Sequence, residues 1–126
     1  MARILMGYPG SGLMTWVKQQ PDDAKPIWQT EFDESVLGGD VTLCIQYSYD
    51  NLQALAEKTL GVTVLYPAPE CIPEYYDRML EEGVDEADAQ LYAATIDSDL
   101  RDLRESENPN EHHVILGRGE YCYDRL

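Results

Sequence analysis

The stretch RILMGYPGSGLMTWVKQQ, residues 3–20, decides how the chain folds. Residues 3–6 form a short apolar run typical of a buried strand, and a glycine-rich turn begins at Gly7. Residues 11–20 have helical character and stop before Pro21, which cannot continue a helix. The stretch therefore predicts a strand, a glycine-rich turn and a helix in succession.

The turn has the G-x-x-x-x-G spacing of a phosphate-binding loop, with Gly7 and Gly12 at its two ends. In that pattern the next two residues are a lysine for the β- and γ-phosphates and a hydroxyl residue for Mg²⁺. Here they are Leu13 and Met14. Thr15 carries a hydroxyl one position late, about 100° further round the helix, which predicts an ordinary helix residue. Backbone N–H groups could still hold an anion, but phosphoryl transfer is not expected without positioned charge.

The remaining chain alternates apolar runs typical of buried strands with amphipathic helical patterns. Further strands are predicted at 26–29, 41–47, 62–67 and 112–116. Helices are predicted after Ser48 and Asp50 up to Gly61, at 70–82, and from Asp85 to about 106 with Tyr92, Ile96, Leu100 and Leu103 on one face. Residues 30–40 are predicted as a loop or a short helix. This alternation predicts an α/β fold of three layers with a five-stranded, mostly parallel sheet.

Size and composition suit a single domain, residues 1–126, with 44% hydrophobic and 26% charged residues. The first apolar run is too short for a signal peptide or a membrane span, so a cytoplasmic protein is expected. Cys44, Cys71 and Cys122 are odd in number and lack zinc-site spacing. They are predicted to be free thiols, with neither a disulfide nor a metal site.

The net charge of −15 excludes unaided binding to nucleic acid or to an anionic membrane. Residues 70–111 contain 14 acidic residues against three arginines, which places −11 of this charge in one third of the chain. A solvated helix face is the common explanation of such a run. The alternative is a binding surface that imitates the phosphates of nucleic acid and occupies a basic groove on another protein.

Three stretches carry a resemblance to a known family: GYPGSG followed by TWVKQ, then VTVLYPAPECIPEYYDRMLEEG, then VILGRGEYCYDRL. Together they resemble the small phage-encoded P-loop kinases, which are adenylate-kinase-like nucleotide kinases and AAA-type proteins. The resemblance covers nearly the whole chain in the right order. It implies a P-loop NTPase-like fold with an acidic lid-like region at about 69–107. It also implies a remnant phosphate loop made of Gly7, Gly10, Ser11, Gly12 and Thr15.

The chain departs from this family at the charged positions. The family's lid helix carries arginines before a glycine, whereas here Arg78 remains and Glu81 and Glu82 precede Gly83. The second-strand segment has no clear match to the family's acidic motif, for which Asp33 or Glu34 are the candidate replacements. Together with Leu13 and Met14, these departures predict a protein without catalytic residues.

Two function classes remain, and the preferred one is a catalytically inactive phage protein that binds a basic protein surface. Its most concrete form is an inhibitor of a host defence nuclease, anti-CRISPR or anti-restriction, that acts by DNA mimicry in the host cytoplasm without a cofactor. The predicted partner-binding residues are Glu81, Glu82, Asp85, Glu86, Asp88, Asp97, Asp99, Asp102 and Glu105. The alternative is a nucleotide-binding protein or kinase that takes ATP or another nucleotide, with a cation from Lys18, Arg118 or a partner. A structural protein of the virion is a third possibility.

His112 and His113 are a candidate general base or metal pair, but no third ligand follows at suitable spacing, which favours a solvated strand start. Tyrosine is abundant in a chain with one Phe. The predicted boundary or interface tyrosines are Tyr47, Tyr49, Tyr66, Tyr75, Tyr76, Tyr92, Tyr121 and Tyr123.

Overall fold

The computed structural model describes residues 3–126, which contain a five-stranded sheet in which every pairing is parallel. The strands are β1 Arg3–Gly7, β2 Ile27–Gln29, β3 Thr42–Gln46, β4 Val62–Pro67 and β5 Glu111–Leu116. Their order across the sheet is β2-β3-β1-β4-β5, so β1 lies at the centre. The prediction of an α/β fold with five strands is confirmed.

Four α-helices connect or flank the strands: α1 Leu13–Gln19, α2 Tyr49–Glu57, α3 Ile72–Glu81 and α4 Glu86–Glu105. The Ser48 side chain caps α2 by accepting a hydrogen bond from the Asn51 N–H. Asp85 precedes the first residue of α4 but makes no capping hydrogen bond with its side chain. Short 3₁₀ turns, including Glu34–Val36 within the polar segment 30–40, complete the chain.

The end of α2 differs from the prediction. The helix stops at Glu57, and the residue in the left-handed conformation is Thr59, with φ of 53°, rather than Gly61. The Leu60 N–H donates to the Leu55 carbonyl, which closes the last turn of the helix. A sequence pattern that favours glycine at this position therefore places the end of the helix too late.

Buried side chains form two apolar clusters, one on each face of the sheet. Ile4 and Met6 of β1 pack with side chains of α2, α3 and α4. Leu5, between them in the sequence, belongs to the second cluster with Leu13 of α1 and Cys122 near the C-terminus. Successive side chains of a strand point to opposite faces, so the sheet is covered on both sides. This arrangement has three layers.

Cys44, Cys71 and Cys122 are all buried and free. Within residues 3–126, no three His, Cys, Asp or Glu side chains are grouped so that they could hold a metal ion. In the same part of the chain, none of the helices combines the length and the apolar character needed to span a bilayer.

Candidate functional site

The glycine-rich turn between β1 and α1 is tightly enclosed by its neighbours. Gly10 and Gly12 have φ angles of 91° and 86°, a left-handed conformation that glycine adopts without strain. A Cβ atom on Gly12 would lie 2.9 Å from the ring of Tyr121, and one on Gly10 would lie 3.0 Å from the ring of Tyr75. These glycines are therefore required by the packing around the turn, independently of any ligand.

Leu13 and Met14, which replace the lysine and the hydroxyl residue of the phosphate-loop pattern, have opposite surroundings. Leu13 is 2% exposed and packs with Leu5 and Val17 in the apolar cluster on the α1 side of the sheet. Met14 is 43% exposed and lines a cleft beside the turn, as does the exposed Thr15. Leu13 is thus a core residue, whereas Met14 presents an apolar contact at the surface.

Arg78 of α3 holds the glycine-rich turn against the C-terminal segment. Its Nη1 donates hydrogen bonds to the carbonyl oxygens of Gly10, at 3.2 Å, and Glu120, at 2.9 Å. Its guanidinium carbon lies 3.8 Å from the centre of the Tyr121 ring, a cation–π geometry. The resemblance implies a lid arginine for a nucleotide, but Arg78 is buried at 4% exposure and does not line the cleft.

The C-terminal segment covers the other side of the turn. The Cys122 N–H donates to the Ser11 carbonyl at 2.8 Å, and Ser11 is itself 2% exposed. The rings of Tyr121 and Tyr123 stack with their centres 5.1 Å apart, next to Gly12. Contacts from α3 and from the C-terminal segment thus fix the turn in place.

The cleft has a volume of about 890 Å³ and opens between the glycine-rich turn and α4. The turn follows β1, and residues 46–49, which also line the cleft, lie at the end of β3. On α4 the lining side chains are Asp88, Leu91, Tyr92, Thr95 and Asp99. The loop that connects α3 to α4 contributes residues 82–85.

The charged side chains that line the cleft are mostly acidic. They are Glu82, Asp85, Asp88 and Asp99, against one lysine, Lys18, among the residues that the structure describes. Four carboxylates and one ammonium group leave a net charge of −3. A lining of this charge repels the phosphates of a nucleotide and attracts a cation.

Tyrosine rings form the base of the cleft. Tyr8 is 1% exposed, stacks on Tyr47 with ring centres 5.3 Å apart, and meets Tyr92 edge-on at 6.2 Å. The Tyr8 hydroxyl donates to Oδ2 of Asp99 at 3.3 Å, and burial, reinforced by that carboxylate, raises the pKa of Tyr8. Gln46 Nε2 donates to the Tyr92 hydroxyl at 2.7 Å. These contacts position the Asp99 carboxylate at the base of the cleft.

The location of the cleft follows the rule for open α/β sheets, in which ligands bind beyond the carboxyl ends of the strands at a topological switch point. β1 and β3 are neighbours in the sheet, and the helices that follow them, α1 and α2, pack on opposite faces. The chain matches no protein-family model and no curated protein. Its function must therefore be argued from the side chains of the cleft and of α4.

The nine acidic residues predicted to bind a partner divide into two groups. Glu82, Asp85, Asp88 and Asp99 line the cleft. The other five are exposed and lie outside it: Glu81, Glu86, Asp97, Asp102 and Glu105. Within residues 3–126, no lysine, arginine or histidine forms an ion pair with any of the nine. The single acidic face expected from the sequence is thus divided between a group that lines the cleft and a group that lies outside it, on α3 and α4.

The two neighbouring histidines have different surroundings. His112 is exposed, whereas His113 is half-buried, with Nδ1 2.9 Å from the Tyr66 hydroxyl and Nε2 2.9 Å from Oε1 of Glu111. Successive residues of β5 point to opposite faces, which separates the two rings. The predicted solvated strand start describes His112 but is wrong for His113, whose ring packs edge-on against Tyr66 of β4.

The other candidate charged groups lie away from the cleft, apart from Lys18. Asp33 accepts a hydrogen bond from the Ser35 N–H at 3.0 Å, a contact that lowers the pKa of this carboxyl. Glu34 forms an ion pair with Lys58 at 3.4 Å. Neither acid lines the cleft, and Arg118 does not line it either. The replacement for the family's acidic motif is therefore absent from the cleft lining.

Sequence reasoning missed Tyr8, Gln46 and Thr95 as residues of the cleft. Tyr92 was predicted on the apolar face of α4 with Ile96. Ile96 is buried in the core, whereas Tyr92 is only half-buried and lines the cleft. Two features of the sequence could have indicated these cleft residues. Tyr8 and Gln46 lie at the carboxyl ends of neighbouring parallel strands, and residues 92, 95 and 99 share one side of a helix.

Proposed function

We propose that the protein is a non-catalytic binding module whose acidic helix α4 docks on a basic surface of another protein. The observation that carries the proposal is the state of the α4 carboxylates. The helix contains six of them, at Glu86, Asp88, Asp97, Asp99, Asp102 and Glu105. Within residues 3–126 none is in an ion pair, although Arg101 and Arg104 lie on the same helix. Unpaired like charges at this density repel one another and favour a cationic partner.

The surroundings of the glycine-rich turn support the non-catalytic part of the proposal. The side chain at position 13 is apolar and buried, so it supplies no charge to a phosphate. Met14 replaces the residue that would bind Mg²⁺. The four carboxylates of the cleft oppose the binding of a triphosphate, and phosphoryl transfer depends on the opposite arrangement of charge.

The specific form of the proposal is an inhibitor, encoded by a phage, of a host nuclease that handles nucleic acid. An RNA-guided effector or a restriction enzyme has a basic channel, and a helix with several unpaired carboxylates can occupy it in place of the phosphate backbone. The resemblance to phage P-loop kinases supports the phage setting. The position of the turn at a switch point of the sheet supports the P-loop kinase-like assignment.

The test is the inhibition of DNA cleavage by a panel of RNA-guided nucleases and restriction enzymes, measured at about 0.05 M and about 0.5 M salt. The variant Glu86→Lys/Asp97→Lys/Glu105→Lys reverses charge on the exposed side of α4 and leaves the cleft intact. We expect inhibition of at least one enzyme at low salt, weaker inhibition at high salt, and a loss of at least about tenfold in the variant, because docking relies on charge complementarity.

The control variant, Asp22→Lys/Asp23→Lys/Glu31→Lys, makes the same change in net charge at exposed positions away from α4 and the cleft. It should inhibit as well as the wild type. No inhibition across the panel would contradict the nuclease-inhibitor form. An equal loss in the two triple variants would show that only net charge matters and would contradict the docking of α4.

The cleft itself favours the alternative function, nucleotide binding. Its volume suits a small ligand, it lies at the carboxyl ends of β1 and β3, and Lys18 supplies one cation. Isothermal titration with ATP, ADP and deoxynucleoside monophosphates, with and without Mg²⁺, separates the two functions. We expect no binding at micromolar concentrations. Micromolar binding accompanied by phosphoryl transfer would replace the proposed function by a kinase activity.

A further inference from the structure

The base of the cleft holds a carboxylate that has no cationic partner. Asp99 is half-buried, and its Oδ2 accepts a hydrogen bond from the Tyr8 hydroxyl at 3.3 Å. The Thr95 hydroxyl lies 3.4 Å from the same oxygen but is closer to the Leu91 carbonyl, at 3.1 Å. Among residues 3–126 it forms no ion pair. Neutral hydroxyl groups contact this carboxylate but leave its charge uncompensated. A cation in the cleft would supply the missing partner.

The Tyr47 hydroxyl is a second polar group of the cleft that lacks a partner, and it is independent of the acidic residues. Tyr47 is only 6% exposed and lines the cleft, with its ring stacked on Tyr8. Within residues 3–126 its hydroxyl has no hydrogen-bond partner. Burial, followed by the charges of Asp99 and Asp102, raises the pKa of Tyr47, so the hydroxyl stays protonated and neutral. The ring is buried, but the hydroxyl oxygen is not sealed off from the cleft, so a ligand in the cleft can form a hydrogen bond with it.

The rim of the cleft is apolar. Met14, Tyr49 and Leu91 are 43%, 62% and 65% exposed, and all three line the cleft. An acidic base below an apolar rim matches a lysine or arginine side chain, which has an apolar stem and a charged head. Apolar residues on either side of that basic residue would cover the rim. A free inorganic cation or a polyamine would leave the rim exposed, which favours a polypeptide.

We propose that the cleft receives an arginine or lysine side chain of the partner protein, with its charged head between Asp99 and the Tyr47 hydroxyl. This inference rests on the proposed function and assigns a second contact to it: the exposed side of α4 supplies charge attraction, and the cleft holds one basic residue. The negative lining of the cleft attracts the head, and Met14, Tyr49 and Leu91 contact the residues that flank it.

The test is a titration of the ¹⁵N-labelled full chain, followed by NMR, with a blocked Leu-Arg-Leu peptide. The matched control is the same peptide with citrulline in place of arginine, which keeps the shape and removes the charge. We expect shift changes at Tyr47, Tyr92 and Asp99, and binding at least about tenfold weaker for the citrulline peptide. Equal binding of the two peptides, or shift changes confined to residues outside the cleft, would overturn the proposal.

Two variants locate the contact. Asp99→Asn keeps an acceptor for Tyr8 and should weaken the binding of the arginine peptide about tenfold. Tyr47→Phe removes one hydroxyl and should weaken this binding about fivefold. Asp23→Asn, a control outside the cleft, should bind as the wild type does. Unchanged affinity in both cleft variants would overturn the proposal, as would tighter binding of spermidine than of the arginine peptide, because the occupant would then be a polyamine.

The outcome also separates this inference from the proposed function. The α4 variant Glu86→Lys/Asp97→Lys/Glu105→Lys retains all the side chains that line the cleft. If nuclease inhibition depends on these exposed acids but the arginine peptide does not bind, the cleft proposal fails and the docking of α4 stands. If the peptide binds the cleft and no nuclease is inhibited, the nuclease-inhibitor form fails and the cleft proposal stands.

Discussion

The glycine-rich turn and helix α4 face each other across one cleft, but they differ in how the rest of the molecule constrains them. Gly7, Gly10, Ser11, Gly12 and Leu13 are all buried. They are held by Arg78, by the C-terminal segment and by the apolar cluster under α1. The outer face of α4 carries carboxylates that no described side chain neutralises. The turn is thus fixed by internal contacts, whereas the acids of α4 remain available to a partner.

The largest expected effect concerns the thiols packed under the turn. Burial raises the pKa of Cys44 and of Cys122 to about 12 in each case. At pH 8 the thiolate fraction should be about a thousandfold below that of an ordinary thiol, since each pKa unit is a factor of ten. Labelling with a thiol-reactive disulfide should therefore be very slow in the native protein and complete in denaturant. Fast labelling of Cys122 would show that the C-terminal segment opens away from the turn.

The same thiols predict a pH dependence of stability. Their folded-state pKa is raised above the ordinary value near 9, so the protonated thiol is the form that the fold favours. Their contribution is fully present below pH 9, and the free energy of unfolding should fall as the pH rises from 9 toward 12. Urea unfolding at several pH values measures this decrease in the free energy of unfolding. The double variant Cys44→Ala/Cys122→Ala should reduce this dependence.

The two neighbouring residues at the start of α1 should differ in their effect on stability. Leu13→Ala removes a fully buried side chain and should lower the free energy of unfolding by about 2–5 kcal/mol. Met14→Ala changes a side chain at the rim and should lower it by less than about 0.5 kcal/mol. Chemical denaturation of both variants measures the difference. Equal effects would contradict the assignment of Leu13 to the core.

Two glycines with nearly the same backbone conformation distinguish crowding from conformation. Gly12 and Gly83 have φ angles of 86° and 87°, but a Cβ on Gly12 would lie 2.9 Å from Tyr121, while one on Gly83 would meet nothing within 4 Å. Gly83→Ala should lower the free energy of unfolding by about 1 kcal/mol, and Gly12→Ala by clearly more, about 2–3 kcal/mol. Thermal unfolding of the pair is a direct comparison, and equal losses would mean that the turn is not enclosed.

The smallest effect is expected on α4. The variant Glu86→Gln/Asp97→Asn/Glu105→Gln removes three exposed charges that make no ion pairs with described residues. The free energy of unfolding should change by less than about 0.5 kcal/mol, or rise slightly because repulsion is relieved. Urea unfolding at low and high salt measures it. A large loss of stability would show that these acids serve the fold rather than a partner.

Much of the fold could be predicted, because strands and helices depend on patterns within a few residues. The apolar runs at 41–47 and 62–67 became β3 and β4, and the Ser48 cap begins α2. The site was harder to predict. Asp99 and Tyr92 were recognised only as members of an acidic helix and of an apolar face, since their role depends on contacts with other elements.

The sequence by itself determined the α/β class, the strand–turn–helix unit at residues 3–20 and the concentration of acids in residues 70–111. Only the tertiary structure decided that Leu13 enters the core and that Arg78 joins the turn to the C-terminal segment by hydrogen bonds. It also decided which acids line the cleft and which lie outside it. The physical reason is the large separation in sequence between the residues that make these contacts. The hydrogen bond from Tyr8 to Asp99 joins residues 91 positions apart, and no local pattern reports which distant side chain will be the partner.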